Sequence, residues 1–170
     1  MDVVCFRQDG KWFGLPQVLV ADLVPSAAIE PVHDGPDFVG GTASFRNRSI
    51  VTVRLSPLLW PGRSGDWMRT RRSSERQAES MLVVGRVARR IGLPTDCVSC
   101  ILDVRAERLV EHQAKVIRGS VITALLYHLD REITVLEPMR LVRLVETALG
   151  ETALRIFSGK AGSRMADRCG

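Results

Sequence analysis

The sequence is short of several things, and each shortage excludes a class of protein. No apolar run approaches the roughly 18 residues that a membrane-spanning helix requires. The longest, residues 121–129, is interrupted by Thr123, Tyr127 and His128. The start, Met1-Asp2-Val3-Val4-Cys5-Phe6-Arg7, lacks the basic opening and long apolar centre of a signal peptide, so export is not expected. Cysteine occurs four times, at 5, 97, 100 and 169, and in a chain that is not exported these read as reduced thiols. The three histidines, His33, His112 and His128, fall in no metal-ligand spacing. Lysine is scarce: 3 residues against 21 arginines. There is no nucleophile elbow, no H-E-x-x-H pair and no phosphate-binding glycine loop.

What is present is an ordinary globular composition. The 170 residues are 45% apolar and 25% charged, which excludes general disorder and sets an expectation of one domain. A chain of this length buries a core without disulfide or metal staples. The formal net charge of +5 is modest for this size and reads as a solvated surface.

Punctuation by turn residues divides the chain into many short strands. Val3–Phe6 and Trp12–Leu15 flank Asp9-Gly10 and form a hairpin. Pro16–Val24 is ambiguous, with Val18, Val20 and Asp22 on one strand face but Leu19 and Leu23 on a helical stripe. Pro25 and Pro31 mark a loop ending near Pro36. Phe38–Phe45 and Ser49–Leu55 are strands around Arg46-Asn47-Arg48, where Asn47 can take the left-handed turn position. Pro57–Trp60 is a helical turn at most. Residues 61–80 carry five arginines and no apolar periodicity, and read as an exposed connection between two halves. In the second half Met81–Val87, Ile91–Pro94, Cys97–Val104, Ile117–Leu129 and Ile133–Leu136 are strand-like, with Asp130-Arg131 between the last two. Pro138–Leu149 is a helix: Pro138 suits its first turn, Leu141, Leu144, Val145 and Ala148 form a stripe, and Gly150 sits at the C-cap. Residues 151–170 form an extension expected to be partly disordered. Many short strands with little helix favour small β-barrels over a layered α/β fold.

Each chemical signal has a structural reading beside it. Cys97-Val98-Ser99-Cys100 matches C-x-x-C, but structural zinc needs four ligands. On a regular strand, residues three apart face opposite ways, which favours a structural role. Glu111-His112 is a lone acid–base pair, Ser44 has no histidine nearby, and Gly40-Gly41 lacks the strand-then-helix context of a phosphate cradle. No catalytic residue, metal site or cofactor is expected. The arginine run of 63–76 contains only Trp67 as a stacking platform, so a solvated linker outweighs a nucleic-acid contact. Arg46, at a turn between two apolar strands, has Asp22 as its candidate carboxylate partner. A structural ion pair and a binding element stand equal there.

At this stretch the sequence resembles the CheW-like family of bacterial chemosensory adaptors. The resemblance rests on Phe38-Val39-Gly40-Gly41 through Arg46-Asn47 and Ile50–Leu55, and on the opening VVCFRQDGKWFGLPQVLVADLV with Val20, Asp22 and Leu23. It rests also on IGLPTDCVSCIL with Gly92, Leu93, Asp96 and Val98, on Ile117-Arg118-Gly119, and on the ITVLEPMRLV ending, and it covers residues 3–146. It implies a mainly β fold of two five-stranded barrels on a shared core, closed by a C-terminal helix: one domain over 1–150. It implies a non-catalytic adaptor that couples a methyl-accepting chemoreceptor to a CheA-type histidine kinase. The receptor's helical tip would lie in an apolar groove between the barrels, and the kinase's regulatory domain would dock on barrel ends. Other CheW-like proteins are further candidate partners; nucleic acid and membrane insertion are not expected. The location implied is the cytoplasm, at membrane-anchored receptor arrays. Carried over by position, Val20, Asp22, Gly41, Arg46 and Val98 would belong to the receptor side.

The chain departs from the family pattern at Asn47 in place of glycine, at Val51 in place of a common proline, and at Arg54 and Glu137 where Asp is usual. Asp22 replaces a longer Glu, and the 61–80 segment is unusually long. These departures suggest an accessory or pathway-specific adaptor. The alternative from another class is a basic β-barrel that binds nucleic acid, which a steep salt dependence of DNA binding would reveal.

Overall fold

The structure is a computed structural model of the chain. It describes residues 1–25, 27–32, 35–62, 79–104, 109–111 and 120–150. Most of the 61–80 segment, Arg118-Gly119, His112 and the 151–170 extension therefore lie outside the described residues.

Among the described residues, twelve strands and two α-helices follow one another in order. They are β1 (Asp2–Gln8), β2 (Lys11–Pro16), β3 (Val20–Pro25), β4 (Ile29–Glu30), β5 (Val39–Phe45), β6 (Arg48–Val53), α1 (Leu55–Leu59), β7 (Ser80–Arg86), β8 (Arg89–Thr95), β9 (Cys97–Asp103), β10 (Leu109–Glu111), β11 (Ile122–His128), β12 (Arg131–Leu136) and α2 (Pro138–Leu149). The ambiguous stretch after Pro16 resolves into a single 3-10 turn, Gln17–Leu19, followed by strand β3. The strands form two six-stranded sheets. Sheet I has the order β10-β11-β12-β2-β1-β9, and sheet II the order β3-β7-β8-β6-β5-β4.

The mainly β architecture with two β units and a C-terminal helix is as expected, with two differences of detail. Each sheet has six strands rather than five, and the strand pairing leaves both sheets open rather than closed into barrels. The sheets also do not follow the two halves of the sequence. The N-terminal hairpin β1–β2 joins β9–β12, while β7 and β8, which follow the arginine-rich segment, return to the sheet built by β3–β6.

The pattern of apolar residues explains the layering. In β1 the four consecutive apolar residues are all buried, because the strand is covered on both faces. Val4 and Phe6 face the large shared core, while Val3 and Cys5 face a smaller cluster with Ala124, Leu126, Ile133 and Val135. Strand β7 divides the same way in sheet II. Leu82 and Val84 enter the shared core, and Met81 and Val83 pack with Ala43, Phe45 and Ile50. A run of apolar residues with no polar alternation is the signature of a strand covered on both faces.

The shared core joins Phe13 and Leu15 of sheet I, Val51, Val53, Ile91 and Leu93 of sheet II, and Leu141, Val142 and Val145 of α2. The Phe6 and Phe13 rings stack with centroids 5.8 Å apart, and both are fully buried. Truncating either to Ala would cost about 3–5 kcal/mol.

Helix α2 follows β12 of sheet I but packs on β7 and β8 of sheet II, so it clamps the two sheets together. Glu137 is its N-cap: the carboxylate accepts from the backbone N–H of Met139 (3.1 Å) and Arg140 (2.6 Å), with Pro138 in the first turn. The buried stripe is Leu141, Val142 and Val145, with Leu144 and Leu149 half-buried; Ala148, expected on the stripe, is exposed. With Pro138, the buried residues Leu141, Val142 and Val145 form a single i, i+3, i+4, i+7 row, rotated from the expected one so that Val142 rather than Ala148 faces the core.

Candidate partner-binding site

Two of the sequence-derived residues meet directly. Arg46 lies at the tip of the β5–β6 hairpin and Asp22 on β3, and these strands are far apart in the order of sheet II. The sheet curls enough to bring Arg46 Nη2 within 3.3 Å of Asp22 Oδ2. The other Asp22 oxygen accepts from the Leu23 N–H at 2.9 Å. The side chains are 66% and 40% exposed, so the pair stands in water and contributes little to stability.

The backbone beneath this pair is strained. Arg46 and Asn47 both adopt positive φ, 48° and 61°, where the sequence had pointed to Asn47 alone. Asn enters this region cheaply, whereas a side chain such as Arg pays roughly 1–2 kcal/mol. The same positive-φ pair recurs at Leu129-Asp130, the turn between β11 and β12, so the conformation at Arg46 is the one a two-residue hairpin turn requires.

Val20 and Val98 occupy equivalent places in the topology. The chain passes from sheet I to sheet II just before Val20, and from sheet II back to sheet I just before Val98. Both side chains are half-buried against the shared core. A bulge at Ala21 breaks the period-2 alternation of β3, so Val20 packs on the shared core while Val24 packs on the inner cluster of sheet II.

Gly41 has a different character. It is buried, with φ 146°, and a Cβ at this position would collide with the Glu30 carbonyl oxygen of β4. Only glycine allows β4 and β5 to approach this closely. The structure thus brings Asp22 and Arg46 together on the surface, sets Val20 and Val98 at the seam between the sheets, and holds Gly41 beneath β4.

The Cys97–Cys100 motif lies on β9, where a bulge interrupts the pairing: Phe6 opposes Val98 but Cys5 opposes Cys100. The regular alternation assumed for the two cysteines is therefore broken at Ser99. The Cys100 side chain is outside the described residues, and among the described residues no His, Cys, Asp and Glu cluster could hold a metal ion.

Sequence reasoning missed a polar seam where the β1–β2 turn docks on sheet II. Gln8 is buried, and its Nε2 donates to the Val53 carbonyl (3.0 Å) and the Pro94 carbonyl (2.8 Å). Its Oε1 accepts from the Leu55 N–H at 2.6 Å. Next to it, Arg54 donates twice to the Asp9 carboxylate, at 3.0 and 3.2 Å, with both side chains about nine-tenths covered. The available signal is Arg54 itself: an arginine in place of a usual acid calls for a nearby carboxylate, and Asp9, a turn residue by sequence, supplies it. Arg90 was missed as well. It lies over the same Phe45 ring that Arg46 covers.

Fold and site together define a two-sheet β module whose candidate residues sit on a strained surface hairpin and at the seam between the sheets. The family model for the CheW-like domain matches residues 2–146, and the chain belongs to that family. Among solved structures, the scaffolding protein TtCheW from Thermoanaerobacter tengcongensis is similar in fold, with a TM-score of 0.59 at 18% identity over 79% of this chain and 87% of that one. No curated protein matches the chain by sequence.

Proposed function

We propose that this chain is a non-catalytic adaptor of a chemosensory array, coupling the cytoplasmic tip of a methyl-accepting chemoreceptor to a CheA-type histidine kinase. The observation that carries this reading is the CheW-like family match over residues 2–146. Asp22 and Arg46 support it: they form an exposed ion pair that adds little stability in water and leaves both charged groups open to a partner. In this reading Val20, Asp22, Arg46 and Val98 form the receptor face, with Gly41 setting the backbone under it. The kinase's regulatory domain and other CheW-like proteins dock elsewhere on the sheets. The adaptor works in the cytoplasm, attached to membrane-anchored receptors. Among the described residues no helix is long and apolar enough to cross a membrane.

The test is co-sedimentation with membranes that carry a chemoreceptor from the same genome, with and without the cognate kinase. The protein should pellet with receptor membranes, raise the amount of kinase pelleted, and raise kinase autophosphorylation. A protein that stays in the supernatant, but binds random duplex DNA with a steep salt slope, would overturn the adaptor reading in favour of a nucleic-acid binder.

A further inference from the structure

The receptor-side pair accounts for only part of the charge on this face. Arg90 of β8 pairs across the hairpin with Gly85 of β7. Its guanidinium carbon lies 5.3 Å from the centroid of the Phe45 ring, and that of Arg46 lies 5.1 Å from the same centroid. Two cations thus share one aromatic ring that is only 7% exposed.

Their surroundings differ. Arg46 has Asp22. The neighbouring Arg89 reaches Glu146 at 3.4 Å. Among the described residues Arg90 has no carboxylate partner, and its buried Nε makes no hydrogen bond. A half-buried guanidinium has given up water and has gained only the ring face in return. A second cation over the same ring raises the cost further. The buried Nε is out of reach of any partner, but the charge is relieved by an incoming carboxylate whose two oxygens meet the terminal nitrogens of the guanidinium fork. A polyphosphate backbone fits less well, because Asp22 places a fixed negative charge in the same patch and would repel a continuous polyanion.

We propose that Arg90 is a second recognition arginine of this face, and that with Arg46 it receives the carboxylate of an acidic side chain on a helical protein partner. The inference rests on the adaptor reading, in which that partner is the receptor tip. It adds to the Asp22–Arg46 pair a residue from a different hairpin and states the chemistry of the group it meets.

The experiment uses the full chain and a soluble coiled-coil fragment of a chemoreceptor tip from the same genome. Dissociation constants are measured for the parent and for R90A, R90K and R90E. Each acidic residue of the fragment is then changed to Gln and measured against the parent and R90A. We expect R90A to weaken binding about tenfold, and R90E more. R90K should lie between R90A and the parent, because lysine keeps the charge but loses the fork. One acidic position of the fragment should lose affinity with the parent and lose no more with R90A, which a merely structural role for Arg90 would not produce. R90K guards against misfolding of R90A, and melting curves of all variants are compared with the parent. If the parent binds the fragment and R90A and R90E bind equally well, or no acidic position couples to Arg90, the inference is overturned and the adaptor reading stands. If the parent does not bind the fragment at all, the adaptor reading falls and this inference with it. Equal weakening of binding to random DNA and to the fragment in R90A would also overturn it, since the site would then be a general anion contact.

Discussion

Replacing Gln8 tests whether the polar seam fixes the two sheets against each other. Gln8 belongs to sheet I, yet all three of its side-chain hydrogen bonds go to the backbone of sheet II or to the start of α1. The side chain is 3% exposed, so no water can take over these bonds. Gln8→Leu keeps the volume roughly constant and removes every polar atom. It leaves the Leu55 N–H and the Val53 and Pro94 carbonyls without this partner. An orphaned buried polar group costs about 1–3 kcal/mol, and carbonyls tolerate the loss better than an N–H. The expected sum is about 3–5 kcal/mol, partly offset by the burial of an apolar side chain. That is a large share of the 5–15 kcal/mol that stabilises an ordinary domain. Gln8→Glu should be worse at neutral pH, because a carboxylate would face two carbonyl oxygens. Urea denaturation followed by tryptophan fluorescence, with the slope checked for constancy, measures the effect. A loss below about 1 kcal/mol for Gln8→Leu would refute the reasoning, because the seam would then have an alternative way to satisfy its backbone.

Three further outcomes follow from the same geometry. Arg46→Asn should leave stability unchanged or raise it by up to about 1 kcal/mol, since Asn accepts the left-handed turn, while receptor-membrane binding falls sharply; chemical denaturation beside the co-sedimentation assay checks both. Gly41→Ala should destabilise the fold by more than about 2 kcal/mol, because the new Cβ meets the Glu30 carbonyl and the φ is unfavourable, and a thermal melt within two degrees of the parent would contradict this. Tyr127 is the chain's only tyrosine, and its hydroxyl donates to Glu132 at 3.0 Å, so its pKa is raised above 10.0, first through that hydrogen bond and then through the carboxylate's charge. Whatever this bond contributes is present below pH 10 and is lost as pH rises through the raised value, and Glu132→Gln should lower the midpoint of the tyrosinate absorbance titration.

The strands were legible because each carries its own signal. Asp9-Gly10 between Val3–Phe6 and Trp12–Leu15 marks a hairpin whatever surrounds it, and both of its turn residues have positive φ as a tight turn requires. The Asp22–Arg46 contact was legible for another reason: a charged residue at a turn between apolar strands calls for a counter-charge, and Asp22 on the earlier apolar run VLVADLV is a candidate. The sorting of strands into sheets was not legible. Hairpins specify only their own two strands. Whether β1–β2 lies beside β12 or beside β8 depends on parallel pairings, β2 with β12 and β6 with β8, between segments distant in sequence. No turn residue encodes such a pairing. The polar seam was hidden for the same reason, since Gln8 and Asp9 find Val53, Arg54 and Pro94 only after that assembly.

The unexpected topology bears on how the candidate site is held. If the sheets had followed the two halves of the sequence, a single crossing near 61–80 would have joined them. Instead the chain crosses at the Gln17–Leu19 turn, crosses back at Asp96, and is clamped again by α2. Asp96 is tied to the N-terminal hairpin as well: its N–H donates to the Arg7 carbonyl at 2.8 Å, and its carboxylate lies 3.6 Å from Arg7 Nε. Val20 and Val98, each just past a crossing, thus sit where covalent continuity, the Gln8 bonds and the Asp9–Arg54 pair together fix one sheet against the other. A groove formed there would keep its width without help from the segment 61–80, which leaves and re-enters the same sheet through α1 and β7. The length of that segment is then free to vary without disturbing the seam, since extra residues in a connection add closure entropy only slowly. The sequence features that distinguish this chain from the family pattern divide accordingly. Arg54 and Glu137 are built into the fold, through Asp9 and the cap of α2, while the strands on either side of the arginine-rich segment, β6 and β7, belong to one sheet, so neither crossing between the sheets falls there.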